Sequence, residues 1–524
     1  MRLNFLFAFC FLFFLTIFTL PVFADFDYQI SQIPGAKDLN IVMQFDLQSE
    51  NAVNAWNVEI PIPENSKVLS VQDSKGKVSD FSVKDGFLNF KTNSGKARNS
   101  EKVKVFLLAL NAVDDSFAPL YFADLALPGF EDRNTFVQAN FEDTLSASPS
   151  LGFSTEYFEG QKGAGFSGLG PMNLRLLFGK PLKKYKNFVV FGTDNDLSMV
   201  DSLVPLVEEY IGMKKPFPYF SIVMLKDQDF NSGVNEFSAA SYESAGLIKI
   251  RESMFQEPYY VATLIHEITH GFTEQVLKWT PKADWFNEGV STYVEFATNF
   301  ALGERQEEVF GNDVTFIEGP KKITLRSQSS AEELWNYYKN GESFMGAWSP
   351  GTSDKQKRDF GYAFSSLQIR QVYSNDSEKL KTAYAGLAKI RQRVESQEEA
   401  NTILLDFLGL DVLKPCYSSS KELLENCIRK MNDLEPEIPA SIQSILPKKE
   451  VPTPIDTNLE FPEEQVKDAI QDAINSGSNI LDSMDKNLNT LPGETETKKS
   501  ILDILLEFIR DLFNEFFGQP AKAN

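Results

Sequence analysis

Val261-Ala262-Thr263-Leu264-Ile265-His266-Glu267-Ile268-Thr269-His270-Gly271 contains both histidines of the 524-residue chain. Its apolar residues recur at helical spacing, and the pattern predicts a helix from about Pro258, well placed in a first turn, to Trp279. Positions four apart on a helix lie about 40° from each other on one face, so two imidazoles can converge on one cation. Zn²⁺ accepts such nitrogen ligands. Glu267 stands one step further round the helix, placed to contact a water on that cation without binding the cation itself. This is the arrangement of metal-assisted hydrolysis with a carboxylate base. Two histidines four apart with an acid after the first arise by chance about five times in ten thousand at this composition. The competing reading is a pair of satisfied core histidines.

A short loop, Thr280–Asp284, leads into Trp285-Phe286-Asn287-Glu288-Gly289-Val290-Ser291-Thr292-Tyr293-Val294-Glu295. A second helix is expected from Trp285 to Leu302, stopped by Gly303. Two antiparallel helices joined this tightly can set Glu288 opposite the histidines, giving three ligands and one open position.

His-Glu-x-x-His followed by Asn-Glu-Gly-x-x-x-Tyr-x-Glu resembles the gluzincin zinc metallopeptidases, specifically the aminopeptidase N-like family. The resemblance implies that His266, His270 and Glu288 bind one zinc ion per chain and that Glu267 is general base and proton shuttle. Seventeen residues separate His270 from Glu288, one fewer than is usual in that family. Its Gly-x-Met-Glu-Asn element corresponds to Ala240–Ile248, where only Glu243 matches. The resemblance thus makes Glu243 an anchor for a substrate α-amine; the alternative is a solvated acid at a strand end. A downstream tyrosine stabilises the oxyanion in that family, and Tyr362 is the nearest candidate, against a packing role. Glu295 is expected either to orient a ligand histidine or to be an ordinary helix-face carboxylate.

Outward from these helices the chain reads as a multidomain α+β protein. Residues 1–24 resemble a signal peptide: Arg2, an apolar run from Phe5 to Leu20, then Val22-Phe23-Ala24 before Asp25; the alternative is an uncleaved membrane anchor. Residues 25–185 are expected to form a β-rich N-terminal domain, a β-sandwich. Alternating runs at Asn40–Leu47, Trp56–Ile60 and Val103–Leu107 support it, as do turns at Lys75-Gly76-Lys77 and Lys84-Asp85-Gly86. Residues 113–185 read as further strands and long loops. A thermolysin-like α/β catalytic domain with the zinc helix spans 186–310, with strands at Phe188–Phe191, Tyr219–Leu225 and Gly246–Ile250. An α-helical subdomain follows over 311–434, then a proline-rich linker with weak helices over 435–499. The last element, 500–517, is an amphipathic helix whose polar face carries Asp503, Glu507, Asp511 and Glu515. Docking on the protein's own body or self-association is expected of it, ahead of contact with a membrane surface.

With 51 Lys+Arg against 73 Asp+Glu, the net charge of −22 excludes nucleic acid as a partner, because phosphate backbones demand a basic surface. The leader implies a secreted, cell-surface or periplasmic protein. Beyond Cys10 the cysteines are Cys416 and Cys427, which an oxidising compartment would allow to bridge. The function expected is zinc-dependent peptide-bond hydrolysis, as an aminopeptidase or a thermolysin-like endopeptidase. A peptidase-like binding protein with a structural or vestigial zinc site is the alternative.

Overall fold

The computed structural model describes residues 22–233, 239–257, 260–278, 283–302, 306–309, 321–324, 327–342, 344–375, 377–390, 394–408 and 420–432. The chain divides into two units, Met1–Pro447 and Lys448–Asn524, and every described residue belongs to the first. The leader through residue 21, the linker and the 500–517 helix lie outside the described residues. No described helix is long and apolar enough to cross a membrane.

The N-terminal part is two layers of sheet. One is eight-stranded, and its central strands are Asn134–Asn140, Val22–Gln32, Leu39–Val53 and Arg98–Ala109 in that spatial order. It is mixed, because Val22–Gln32 runs parallel to Asn134–Asn140 and antiparallel to Leu39–Val53. Val22–Ala24, expected to precede signal cleavage, open that strand. Alternation is strict along Leu39–Leu47, with Leu39, Ile41, Met43, Phe45 and Leu47 buried. Fully burying each such side chain contributes about 1.5–3 kcal/mol. They pack against Leu125, Leu127, Leu174 and Leu176 of a four-stranded sheet and Val58, Ile60 and Leu88 of a three-stranded one. The turn expected at Lys84-Asp85-Gly86 is a two-residue hairpin with Asp85 at φ 51° and Gly86 at φ 79°. Positive φ at both centres is what Asp-Gly tolerates and what matches strand twist. The segment 113–185, expected to hold further strands and long loops, supplies seven strands shared between the eight-stranded and four-stranded sheets, joined by short connections.

A five-stranded sheet follows. Phe188–Phe191, Phe220–Leu225 and Leu247–Arg251 are parallel, with Ala240–Glu243 antiparallel at the edge. Both faces are covered, which explains why these strands read as continuous apolar runs. Phe188, Val190, Ile222, Ile248 and Ile250 meet the helices. Val189, Phe191, Val223 and Leu247 meet Leu120, Leu145 and Leu177 of the sandwich.

The histidine helix spans Tyr260–Leu277, and the next helix Asp284–Leu302. Pro258 and Trp279, the expected ends of the first, lie outside the described residues. Helices continue through Ser327–Tyr338, Lys355–Asn375, Ser377–Leu387, Gln397–Leu408 and Lys421–Asn432. A parallel strand pair, Gln306–Val309 with Lys321–Thr324, was not legible, since neither segment carries an apolar period. Cys427 is disulfide-bonded; Cys416 lies outside the described residues.

Candidate metal centre

Glycine follows each ligand motif, and both glycines mark close approaches. A Cβ on Gly271 would stand 2.4 Å from Phe220 Cε1, so the histidine helix can lie on the sheet only if residue 271 lacks one. A Cβ on Gly289 would stand 3.0 Å from the carbonyl oxygen of Ser365, on the helix Lys355–Asn375. Trp285, fully buried, donates from Nε1 to Asn401 Oδ1 at 3.0 Å and pins the start of the second helix. The two helices are thereby packed against separate neighbours as well as against each other.

Between them His266, His270 and Glu288 bring three ligand atoms within 4.8 Å of one another. The two imidazole Nε2 atoms are 3.1 Å apart, and Glu288 Oε2 is 3.5 Å from each. Tetrahedral bonds of about 2.0–2.1 Å place neighbouring ligand atoms about 3.3 Å apart. The three atoms therefore match the edges of a zinc tetrahedron.

The far sides of the rings fix which nitrogen faces the centre. His266 Nδ1 lies 3.0 Å from Glu295 Oε2, and an ionised carboxylate only accepts, so in the neutral ring the proton sits on Nδ1 and Nε2 carries the lone pair. His270 Nδ1 donates to Asn287 Oδ1 at 3.0 Å, with Ser291 Oγ at 3.1 Å. Outer partners of this kind hold a ligand ring in one orientation. Burial alone would push the His266 imidazole down, but hydrogen bonds with Glu288 and Glu295 hold it well above its ordinary value, so without a cation Nε2 carries a second proton that a bound cation would displace. His270 is likewise raised, Glu288 outweighing burial. Glu288 is pulled down to about 2, its two histidines overcoming the burial that would raise it. Glu267 is 7% exposed, and burial pushes its carboxyl up.

The structure does not bring Glu243 to this cluster. Tyr242 and Glu243 are adjacent in a strand and point to opposite faces. Leu247, across from Glu243, belongs to the face against the sandwich, and Ile248, across from Tyr242, to the face against the helices. Glu243 accordingly pairs with Lys249 and lies 3.8 Å from Arg175 Nη1. The residue on the helix side is Tyr242, whose ring is 6.1 Å from that of His270. Tyr362 is half-buried on Lys355–Asn375, edge-on to Trp348 at 5.2 Å.

Sequence reasoning missed Glu274, one helical step beyond His270. Its carboxylate hydrogen-bonds the hydroxyl of Tyr242 and accepts from Ser148 Oγ at 2.6 Å and Ala245 N at 3.2 Å. The i, i+4 spacing from His270 was the available signal. Asn287 and Ser291 were also missed, although both flank Glu288. A cavity of about 280 Å³ beside His270 is lined by Tyr242, Ser244, Glu274, Lys278 and Asn287. Ser244, Glu274 and Lys278 also line a larger cleft of about 1390 Å³ reaching to Arg175, so the site opens into it.

No protein-family profile and no curated protein matches the chain. Solved structures similar to it include an M1 zinc metallopeptidase from Deinococcus radiodurans, 12% identical with a TM-score of 0.32. A variant of that enzyme bound to a Tyr-Ser-Ala substrate gives 13% and 0.33. A two-domain M1 zinc metallopeptidase variant bound to L-arginine gives 12% and 0.33. Each comparison covers 80% of this chain and 96% of the other. Likenesses at this level carry no assignment.

Proposed function

We propose that the chain is a zinc-dependent peptidase. The observation that carries this reading is the match of His266, His270 and Glu288 to a zinc tetrahedron with a buried carboxylate, Glu267, beside it. Zinc held there would supply Lewis acidity and lower the pKa of water. Glu295, Asn287 and Ser291 keep both imidazoles turned with Nε2 inward. The Glu267 carboxylate receives the proton of the attacking water and passes it to the nitrogen of the leaving amine, as a general base that becomes a general acid. Burial raises its proton affinity, which favours acceptance of that proton.

The pairing of Glu243 with Lys249 and Arg175 favours an endopeptidase over an aminopeptidase anchored by Glu243. The leader at 1–24 makes the proposed enzyme an exported one. The test is a peptide library offered with free and acetylated N-termini, run with the parent and Glu267→Gln. Hydrolysis of both sets, lost in Glu267→Gln while zinc is retained, is expected. A parent that binds zinc and cleaves nothing would instead make it a binding protein.

A further inference from the structure

The outward face of the eight-stranded sheet has a composition the proposed peptidase does not use. The register aligns Ser154, Ser167, Phe136, Asp27, Gln44 and Lys104 in one row across six strands. Beside it, Glu156, Gln138 and Gln29 stand two residues along their strands, on the same face. The opposite faces of these strands carry Tyr28, Met43, Val105, Val137 and Phe166, all buried in the sandwich. The outward rows line a concavity of about 690 Å³, within the range of small-ligand sites.

We infer that this concavity binds an uncharged oligosaccharide laid across the strands. The side chains decide the ligand class. Gln29, Gln44 and Gln138 each offer an amide that both donates and accepts, and Ser154 and Ser167 offer hydroxyls of the same dual capacity. A polyol is the ligand that answers such groups in both senses at once. Two carboxylates, Asp27 and Glu156, face one ammonium, Lys104, so the lining is almost balanced in a chain of net charge −22. That balance disfavours polyanions and gives a cationic peptide only a weak hold. Phe136 is 42% exposed in the middle of the row, where its ring offers a flat face to the C–H side of a sugar ring. Six strands span about 24 Å at ~4.8 Å spacing, room for several sugar rings in line. The sheet fixes the backbone at these positions before binding, which limits the entropy lost to that of the side chains.

The test is calorimetric titration of the full chain with cellohexaose, xylohexaose, maltohexaose and chitohexaose, with polygalacturonate and an oligolysine as charged controls. Binding of at least one neutral hexasaccharide is expected, with affinity about tenfold weaker in Phe136→Ala and in Gln29→Ala/Gln138→Ala. Thermal melting and zinc content of both variants should equal the parent's, because the substituted side chains face solvent. Failure of every neutral oligosaccharide to bind would overturn the inference. So would binding unchanged in both variants, or binding confined to the charged controls. None of these outcomes depends on peptide hydrolysis, so the inference stands or falls apart from the peptidase reading.

Discussion

Glu295 Oε2 sits 3.0 Å from Nδ1 of His266, two helical turns beyond Glu288 on the same helix. One helix therefore supplies both a candidate ligand atom, from Glu288, and the acceptor that orients His266. Glu295→Ala should weaken zinc binding by about 10–100-fold, the usual cost of losing such a partner. Competition against a chromophoric chelator measures it. Asn287→Ala should act through His270 in the same direction, but less, because Ser291 Oγ remains at 3.1 Å.

Gly271→Ala should destabilise the protein by about 1–3 kcal/mol, because the new methyl meets Phe220 at 2.4 Å and the packed sheet face cannot yield freely. A shift of the urea midpoint reads this directly. A companion Phe220→Leu change should recover part of the loss, whereas a purely local helix effect would not be recovered.

Removing the metal should lower thermal stability. His266, His270 and Glu288 come from two helices, so an ion that they bound only in the folded state would contribute about 2.7 kcal/mol at a free concentration a hundred times its dissociation constant. Melting with and without a chelator, followed by zinc add-back, provides the measurement. A melting temperature indifferent to both would count against the site.

The sandwich should show its own acid sensitivity. Asp73 is buried; burial would raise its carboxyl, but hydrogen bonds from Asn93 N at 2.6 Å, Asn93 Nδ2 and Lys75 N hold it below 3.8. A folded-state value below the unfolded one contributes stability that is present above pH 3.8 and lost as pH falls through the folded value. Asp73→Ala should cost about 2 kcal/mol at neutral pH. The gap in melting temperature between parent and variant should close as the pH drops through that range.

The ligand helices were legible because a helix converts sequence spacing directly into geometry. His266, His270 and Glu267 need only the 3.6-residue period, and Glu288 needs only the short loop. Glu243 was not legible in this way. Its direction depends on which face of the sheet meets the helices, and that is decided by Leu120, Leu145 and Leu177, more than sixty residues away in the chain. Tyr242 and Glu274 escaped notice for the same reason, since their contact joins a strand edge to a helix. Strands were expected within 113–185, but their bounds were obscured by Gly, Ser and Phe, because they divide between two layers and share no single period.

The contact of Val189, Phe191, Val223 and Leu247 with the sandwich has a practical corollary. A fragment cut just after Gly179 would keep His266, His270 and Glu288 yet present four large apolar side chains to water on one sheet face. Such a patch drives association. The portion carrying the candidate site is thus not separable from the portion preceding it, and insertions or deletions should be tolerated in the loops of each but not at their shared seam.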